Sequence, residues 1–146
     1  MNAFRFPLQK ALDWRRTQLE LEEARYKQQA AALAALDRAR AEVEASGIRA
    51  EVEVRAWGSI DGSDLGALNR FRLRVKCEES QIAGQRVVEA AKVAERQEAM
   101  MEARRRCRLL ERLRERRLSE WESARDKELD EVASESFLAR WGRNAD

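Results

Sequence analysis

The sequence predicts an all-α fold: a long antiparallel two-helix coiled-coil hairpin, with the second helix overhanging the first. Of the 146 residues, 38% are charged, only 6% are aromatic and one is proline, a composition that suits long, thin helices better than a globular core. Apolar residues recur with a period of seven in both halves, and turn-forming residues cluster once, near the middle. We therefore expect a single helical hairpin over residues 1–146, with no sizeable core and no deep pocket.

The turn is expected in the segment 57–65, which reads Trp-Gly-Ser-Ile-Asp-Gly-Ser-Asp-Leu. Glycine tolerates positive φ, and serine and aspartate hydrogen-bond their own backbone, so a continuous helix most readily reverses here. Asp61 or Ser63 can cap the second helix, and the charge of Asp64 suits the helix dipole. The predicted elements are helix 1 at about 7–57, a tip at 58–63, helix 2 at about 64–135 and a C-terminal tail at 136–146.

The first arm carries the seven-residue repeat in an imperfect form. Four apolar residues recur strictly at this spacing: Leu12, Leu19, Tyr26 and Leu33. The companion positions of the repeat are polar in the same stretch, at Arg15, Glu22 and Gln29. Gly47 should soften the arm further, at a cost of about 1 kcal/mol relative to alanine. A narrow, partly polar seam indicates a marginal coiled coil, compatible with a monomer or with further association.

The second arm is longer than the first, so its end should lack a partner within this chain. A reversal about residue 60 sets Trp14 near Cys107 and Leu110, and it leaves residues beyond about Glu120 unpaired. A lone amphipathic helix is rarely stable in water unless its apolar stripe is buried. This overhang therefore either frays, as termini often do, or is covered by another protein. Within residues 120–132, acidic residues surround three large apolar ones: Trp121, Leu129 and Val132.

The open end of the predicted hairpin is strongly basic. The segment 104–117 holds eight arginines and two glutamates, and it is expected to lie against residues 4–17. The two segments together hold 12 basic and three acidic residues, a local charge of +9. One interpretation is a solvated arginine face, partly neutralised by pairs along the same helix. The other is that the excess charge steers the protein toward an acidic surface of protein, nucleic acid or anionic lipid.

The sequence gives almost no support for catalysis. It lacks histidine, a glycine-rich phosphate loop and any spaced set of metal ligands. Acidic residues on a thin hairpin are solvated and lack the pocket that would raise their pKa. We therefore predict no enzyme, no cofactor and no metal.

Cysteine placement and hydropathy indicate a cytosolic chain. Cys77 and Cys107 lie on one predicted helix, about 45 Å apart at the standard rise, which is far beyond disulfide reach. Both are expected to be reduced packing residues, with an intermolecular disulfide or a reactive thiol as the alternative. No stretch approaches the roughly 18 uncharged apolar residues of a membrane span, and residues 1–6 lack the apolar core of a secretory signal. No direct membrane insertion is expected.

Two stretches of the sequence together resemble one protein family. The opening Phe4-Arg-Phe-Pro-Leu-Gln-Lys-Ala-Leu-Asp-Trp-Arg resembles the Phe-x-Phe-x-Leu-x-x-x-Leu-x-x-Arg start of many members of the FliJ family of the bacterial flagellar export apparatus. The later Leu110-Glu-Arg-Leu-Arg-Glu-Arg-Arg-Leu-Ser-Glu-Trp, followed by Glu128-Leu-Asp-Glu, is similar to the family's basic-then-acidic second helix. The resemblance spans nearly the whole chain, and it is the order of the motifs that is specific. Stalk subunits of virulence-type secretion systems and of rotary ATPases share the same antiparallel shape.

The resemblance implies a stalk that serves flagellum biogenesis and motility. Family members engage a hexameric export ATPase and the membrane-embedded export gate, and they handle export chaperones. Such a protein is cytoplasmic and peripheral on the inner membrane at the flagellar base. By resemblance, the ATPase would meet the open end, at Arg104, Arg105, Arg108, Arg112, Arg116, Trp121 and Leu129. The gate would meet the tip, at Trp57, Leu65, Leu68 and Phe71. The tip residues have a structural interpretation as well, in which most of their surface packs together to close the hairpin.

Two alternatives from other classes stay open at this point. A basic helical nucleic-acid-binding protein is disfavoured, because basic DNA-binding helices precede a strong leucine zipper whereas this basic block precedes an acidic segment. We therefore expect no specific nucleic acid, only salt-dependent nonspecific binding. A generic coiled coil that dimerises by covering the overhang is the second alternative.

Overall fold

The computed structural model describes residues 2–144, and two helices account for most of them. Helix α1 is Gln9–Arg55 and helix α2 is Gly62–Asn144. The helices pack against each other, and the described residues contain no strand. This confirms the predicted all-α helical hairpin.

The helix bounds differ from the expected ones, most of all at the C-terminal end. α2 continues through residues 136–144, which were expected to form a tail. The physical reason is that this stretch contains no proline, and its alanine, leucine and arginine residues favour a helix. At the other end, Pro7 lies in a turn just before α1 rather than inside its first helical turn. Residues 145 and 146 of the predicted tail lie outside the described residues.

The start of α2 is fixed by a reciprocal cap. The backbone N–H of Asp64 donates to Oδ1 of Asp61 at 2.8 Å, and the backbone N–H of Asp61 donates to Oδ2 of Asp64 at 3.2 Å. This is the geometry of a capping box, in which the side chains satisfy two N–H groups that the helix cannot. Of the two predicted caps, the structure uses Asp61.

Within the helical hairpin, the chain divides into two compact units. Unit 1 comprises Met1–Leu19 and Glu102–Asp146, and unit 2 is Glu20–Met101. Each unit therefore contains a piece of both helices.

Unit 1 holds a small apolar core. Leu12 is fully buried, and it packs with Phe6 and Cys107, which are nearly so. Four partly buried residues surround them: Phe4, Leu19, Leu110 and Leu113. The prediction that Cys107 is a packing residue is confirmed. Trp14, which was expected near Cys107, is 54% exposed, because Leu12 occupies the inward position instead.

The seam between α1 and α2 in unit 2 combines half-buried apolar side chains with polar contacts. No residue of this unit is buried, in keeping with the narrow, partly polar seam read from the sequence. Arg86 donates to Asp37 at 2.6 Å, and Arg72 donates to Glu51 at 2.9 Å. Gln29, one of the polar companion positions, donates to Glu89 across the seam. Exposed ion pairs contribute little stability each, so this unit is held by many weak contacts.

Candidate functional site

The N-terminal segment before α1 builds an aromatic contact at the basic end of unit 1. Phe6 joins the core, and its carbonyl accepts a hydrogen bond from the backbone N–H of Gln9 at 3.1 Å. Phe4 then reaches Trp121, with ring centroids 6.0 Å apart and planes inclined by 55°. Trp121 was expected to lack a partner in this chain. It has one, because residues 2–8 extend past the start of α1 along α2.

Arginines bracket this aromatic pair. The guanidinium of Arg114 lies 5.9 Å from the centre of the Phe4 ring, and that of Arg125 lies 5.2 Å from the centre of the Trp121 ring. Both distances are within the range of cation–π attraction. Beside the pair is an open recess of about 570 Å³ lined by Phe4, Arg5, Pro7, Arg117, Glu120 and Trp121. Its aromatic and basic walls suit an acidic or aromatic side chain of a partner.

The arginine block is only partly neutralised within the chain. Arg16 pairs with Glu111 across the helices at 3.4 Å, and Arg105 and Arg106 both pair with Glu102. Arg114 donates to Oε1 of Gln9 at 3.2 Å. Three arginines have no hydrogen bond or ion pair within residues 2–144, at Arg108, Arg112 and Arg116. Since these three recur every fourth residue, they form one row of unneutralised positive charge along α2.

Past Arg125, α2 runs on without any covering from the described part of the chain. Every described residue from 126 to 143 is exposed, including five large apolar side chains: Leu129, Val132, Phe137, Leu138 and Trp141. Two interpretations of the overhang, fraying or covering by a partner, were open from the sequence. The structure describes this segment as continuous helix to Asn144 and identifies nothing that covers it.

The tip residues differ in exposure. Trp57 is 45% exposed and Leu65 is 55% exposed, whereas Leu68 and Phe71 are half-buried. The expectation that most of the surface packs therefore fits Trp57 but not Leu65, which lies in the first turn of α2 beside a short, polar tip.

Phe71 belongs instead to a groove that the sequence reasoning missed. This groove of about 510 Å³ lies between α1 and α2 within unit 2 and is lined by Glu44, Gly47, Ile48, Glu51, Phe71, Arg72, Val75, Lys76 and Glu79. Gly47 stands opposite Val75, and a Cβ built on Gly47 would lie 3.4 Å from Val75 Cγ1. The sequence signal was available, since Ile48 and Val52 are apolar residues that fall outside the seven-residue repeat.

The structure gathers the predicted ATPase-end residues in one unit and the predicted tip residues in the other. Arg104, Arg105, Arg108, Arg112, Arg116, Trp121 and Leu129 all lie on α2 in unit 1. Trp57, Leu65, Leu68 and Phe71 all lie in unit 2. What sequence reasoning missed in unit 1 is Phe4 and Phe6, which were quoted only as part of a motif and which the structure places against α2.

The two thiols have different environments. Cys77 is exposed and Cys107 is buried, and neither forms a disulfide. Burial raises the pKa of Cys107, and the charge of Glu111, whose Oε1 lies 3.8 Å from Sγ, raises this pKa further. The buried thiol is therefore held in its neutral form.

Among the described residues, no group of three or more histidine, cysteine or acidic side chains is placed to hold a metal ion. Nor is either described helix long and apolar enough to cross a membrane. No known protein family, curated protein or solved structure matches this chain.

Proposed function

We propose that this chain is a non-enzymatic stalk component of a bacterial flagellar protein export apparatus. It couples a hexameric export ATPase to the membrane-embedded export gate and escorts export chaperones, from the cytoplasmic face of the inner membrane at the flagellar base. The observation that carries the proposal is the order of the motifs along the sequence. An aromatic-proline start at 4–15 is followed by a basic stretch at 110–121 and an acidic one at 128–131.

The helical hairpin supports this proposal, since it is the architecture that the resemblance implies. A virulence-type secretion stalk has the same architecture, so the flagellar assignment rests on the motifs alone.

The uncovered part of α2 supports a partner at the basic end. Trp121 and Arg125 are the last half-buried residues of the seam, and Leu129 and Val132 follow them at steps of four and three along α2. They therefore continue the face that α1 covers earlier in unit 1. The export ATPase covers this face in our proposal. Its contact surface carries acidic side chains, which neutralise the row formed by Arg108, Arg112 and Arg116.

The gate is assigned to unit 2. The exposed side chains of Trp57 and Leu65 supply apolar contact area, and Trp is the residue type most often found to anchor an interface. Leu68 and Phe71 are half-buried and lie further along α2 in the same unit.

A pull-down with the purified full chain from a lysate of its source organism tests the proposal. The bound proteins are identified, and the wild type is compared with a truncation after Arg125. Every residue from 126 to 143, which this truncation removes, is exposed, and the contact between Phe4 and Trp121 is kept, so no packing among the described residues is lost. The wild type should recover the export ATPase and the gate, and the truncation should lose the ATPase but keep the gate.

Point variants locate the contact more finely. Leu129→Glu places a charge on the face that the ATPase is proposed to cover, and it should abolish recovery of the ATPase. Ser134→Glu introduces the same side chain on another face of the same helix, and it should leave recovery unchanged. Recovery of nucleic acid alone, of virulence-type components, or of no export component contradicts the proposed function.

A further inference from the structure

One face of α2 within unit 1 is exposed along its whole length and lies away from the seam with α1. An α-helix has 3.6 residues per turn, so residues that follow one another at steps of four and seven stay on one face. The exposed residues that meet this condition include seven that we name the α2 stripe: Arg105, Leu109, Arg116, Ser123, Asp130, Phe137 and Trp141. Its three apolar members, Leu109, Phe137 and Trp141, are 61%, 67% and 70% exposed.

The α2 stripe is symmetric about Ser123. Its members form pairs at equal separations on either side of that residue: Arg116 with Asp130 at seven residues, Leu109 with Phe137 at fourteen, and Arg105 with Trp141 at eighteen. These separations are close to two, four and five helical turns, so every pair stays on the face of Ser123. When two copies of α2 lie antiparallel with their Ser123 residues opposed, each member of a pair faces its counterpart on the other copy.

We propose that the α2 stripe binds a second copy of this chain, antiparallel and about a two-fold axis at Ser123. The small Ser123 side chain allows the two helices to approach closely at the axis. Arg116 meets Asp130 of the other copy, and neither residue has an ion pair within residues 2–144. The proposal does not rest on the proposed function, and because it uses Arg105 and Arg116, the second copy and the ATPase exclude one another at these two residues.

The two outer pairs bury apolar surface. Leu109 meets Phe137 and the adjacent Leu138, which is also exposed. The guanidinium of Arg105 meets the ring of Trp141, the aromatic residue that attracts a cation most strongly. The two-fold axis repeats each contact, so two apolar clusters flank the polar centre.

The distribution of charge favours a second copy in this antiparallel direction. In the proposed register the segment 104–117, with a net charge of +6, lies along the segment 129–142, with a net charge of −2. Parallel pairing would instead set each arginine block against itself, which is repulsive. The same chain thus supplies both complementary surfaces.

Sedimentation equilibrium of the purified full chain tests the proposal. We expect a monomer–dimer equilibrium at low ionic strength that shifts toward the monomer as salt is raised, because salt screens the exposed ion pairs. Arg116→Asp and Asp130→Arg each place like charges opposite one another twice per dimer, and each should weaken dimerisation by about tenfold or more. The double variant restores the pair with reversed polarity and should recover the wild-type affinity. Glu128→Arg, the same charge change on another face of α2, is the matched control.

Crosslinking tests the axis itself. In a Cys77→Ser background, Ser123→Cys should form a covalent dimer with a short bis-maleimide, whereas Ser136→Cys, exposed on another face, should not. All these positions are exposed, so far-UV circular dichroism should give the same helicity for every variant. A chain that stays monomeric at every concentration overturns the proposal. So does a dimer that Asp130→Arg and Glu128→Arg weaken equally, or one that crosslinks equally through positions 123 and 136.

Discussion

Replacing Leu12 by alanine is the most informative perturbation of the fold. Leu12 is 0% exposed, and no other described side chain is so fully buried. Removal of a buried leucine side chain costs about 2–5 kcal/mol, through lost transfer free energy and the cavity left behind. Among the described residues, Phe6 and Cys107 are its only buried neighbours, so a cluster this small can partly collapse around the cavity. We therefore expect the lower end of that range, a loss of about 2–3 kcal/mol from the free energy of unfolding of unit 1.

Urea unfolding followed by far-UV circular dichroism measures this loss, and hydrogen exchange of the peptide 9–19 localises it to unit 1. Leu129→Ala is the matched control, because Leu129 is 59% exposed on α2 of the same unit and lies outside the proposed dimer contact. It should change the free energy of unfolding by no more than about 0.5 kcal/mol. A loss for Leu12→Ala that equals the control would refute the assignment of the core. The assignment also fails if exchange accelerates in unit 2 but not in unit 1.

Three further predictions concern a glycine, the cap and the thiols. Gly47→Ala should stabilise unit 2 by about 0.5–1 kcal/mol in thermal unfolding. The new methyl group makes an ordinary contact with Val75, and α1 loses a flexible residue. Destabilisation would show that the two helices approach more closely here. Asp61→Ala should lower the free energy of unfolding by about 1 kcal/mol, since it removes the side chain that accepts a hydrogen bond from the first turn of α2. An unchanged urea unfolding curve would argue against the capping box. Alkylation followed by mass spectrometry should label Cys77 fast and Cys107 slowly, and equal rates would contradict burial of Cys107. Folding raises the pKa of Cys107, because the buried thiol is held neutral. The stabilisation that this neutral thiol gives is complete at neutral pH. It is lost as the pH rises above about 8.5, the pKa of a thiol in the unfolded chain.

Much of the fold could be predicted because the signals that determine it are local. The seven-residue repeat identified the helices, and the Gly, Ser and Asp cluster located the reversal between Arg55 and Gly62. The cap at Asp61 follows from the same short stretch. The amino-acid composition was an equally direct signal that the core is small, since a chain with so few aromatic residues has little from which to build one.

What the sequence did not predict depends on contacts between distant segments. Phe4 and Trp121 are far apart in the chain, and no local pattern indicates that the N-terminal segment extends along α2 to bring their rings together. The groove around Ile48 and Phe71 likewise needs both helices in register before its walls exist. The C-terminal end was misjudged for another reason, because helix propensity alone carries α2 through a stretch that lacks the seven-residue repeat.

The division of the predicted site is informative about function. The sequence assigned two sets of residues to two partners, and the structure places those sets in different units. The exposure of Leu129, Val132 and Trp57 is what a protein that works by contact with partners requires. The identity of the partners remains the part of the account that rests on the motifs.

Deletion of the gene for this chain in its source organism, followed by measurement of secreted flagellar filament protein, is the decisive test of the proposed role in export. We expect secretion and swimming to be strongly reduced; the wild-type chain should restore both, and the truncation after Arg125 should not. Normal secretion and motility in the deletion strain would contradict the proposed role in flagellar export.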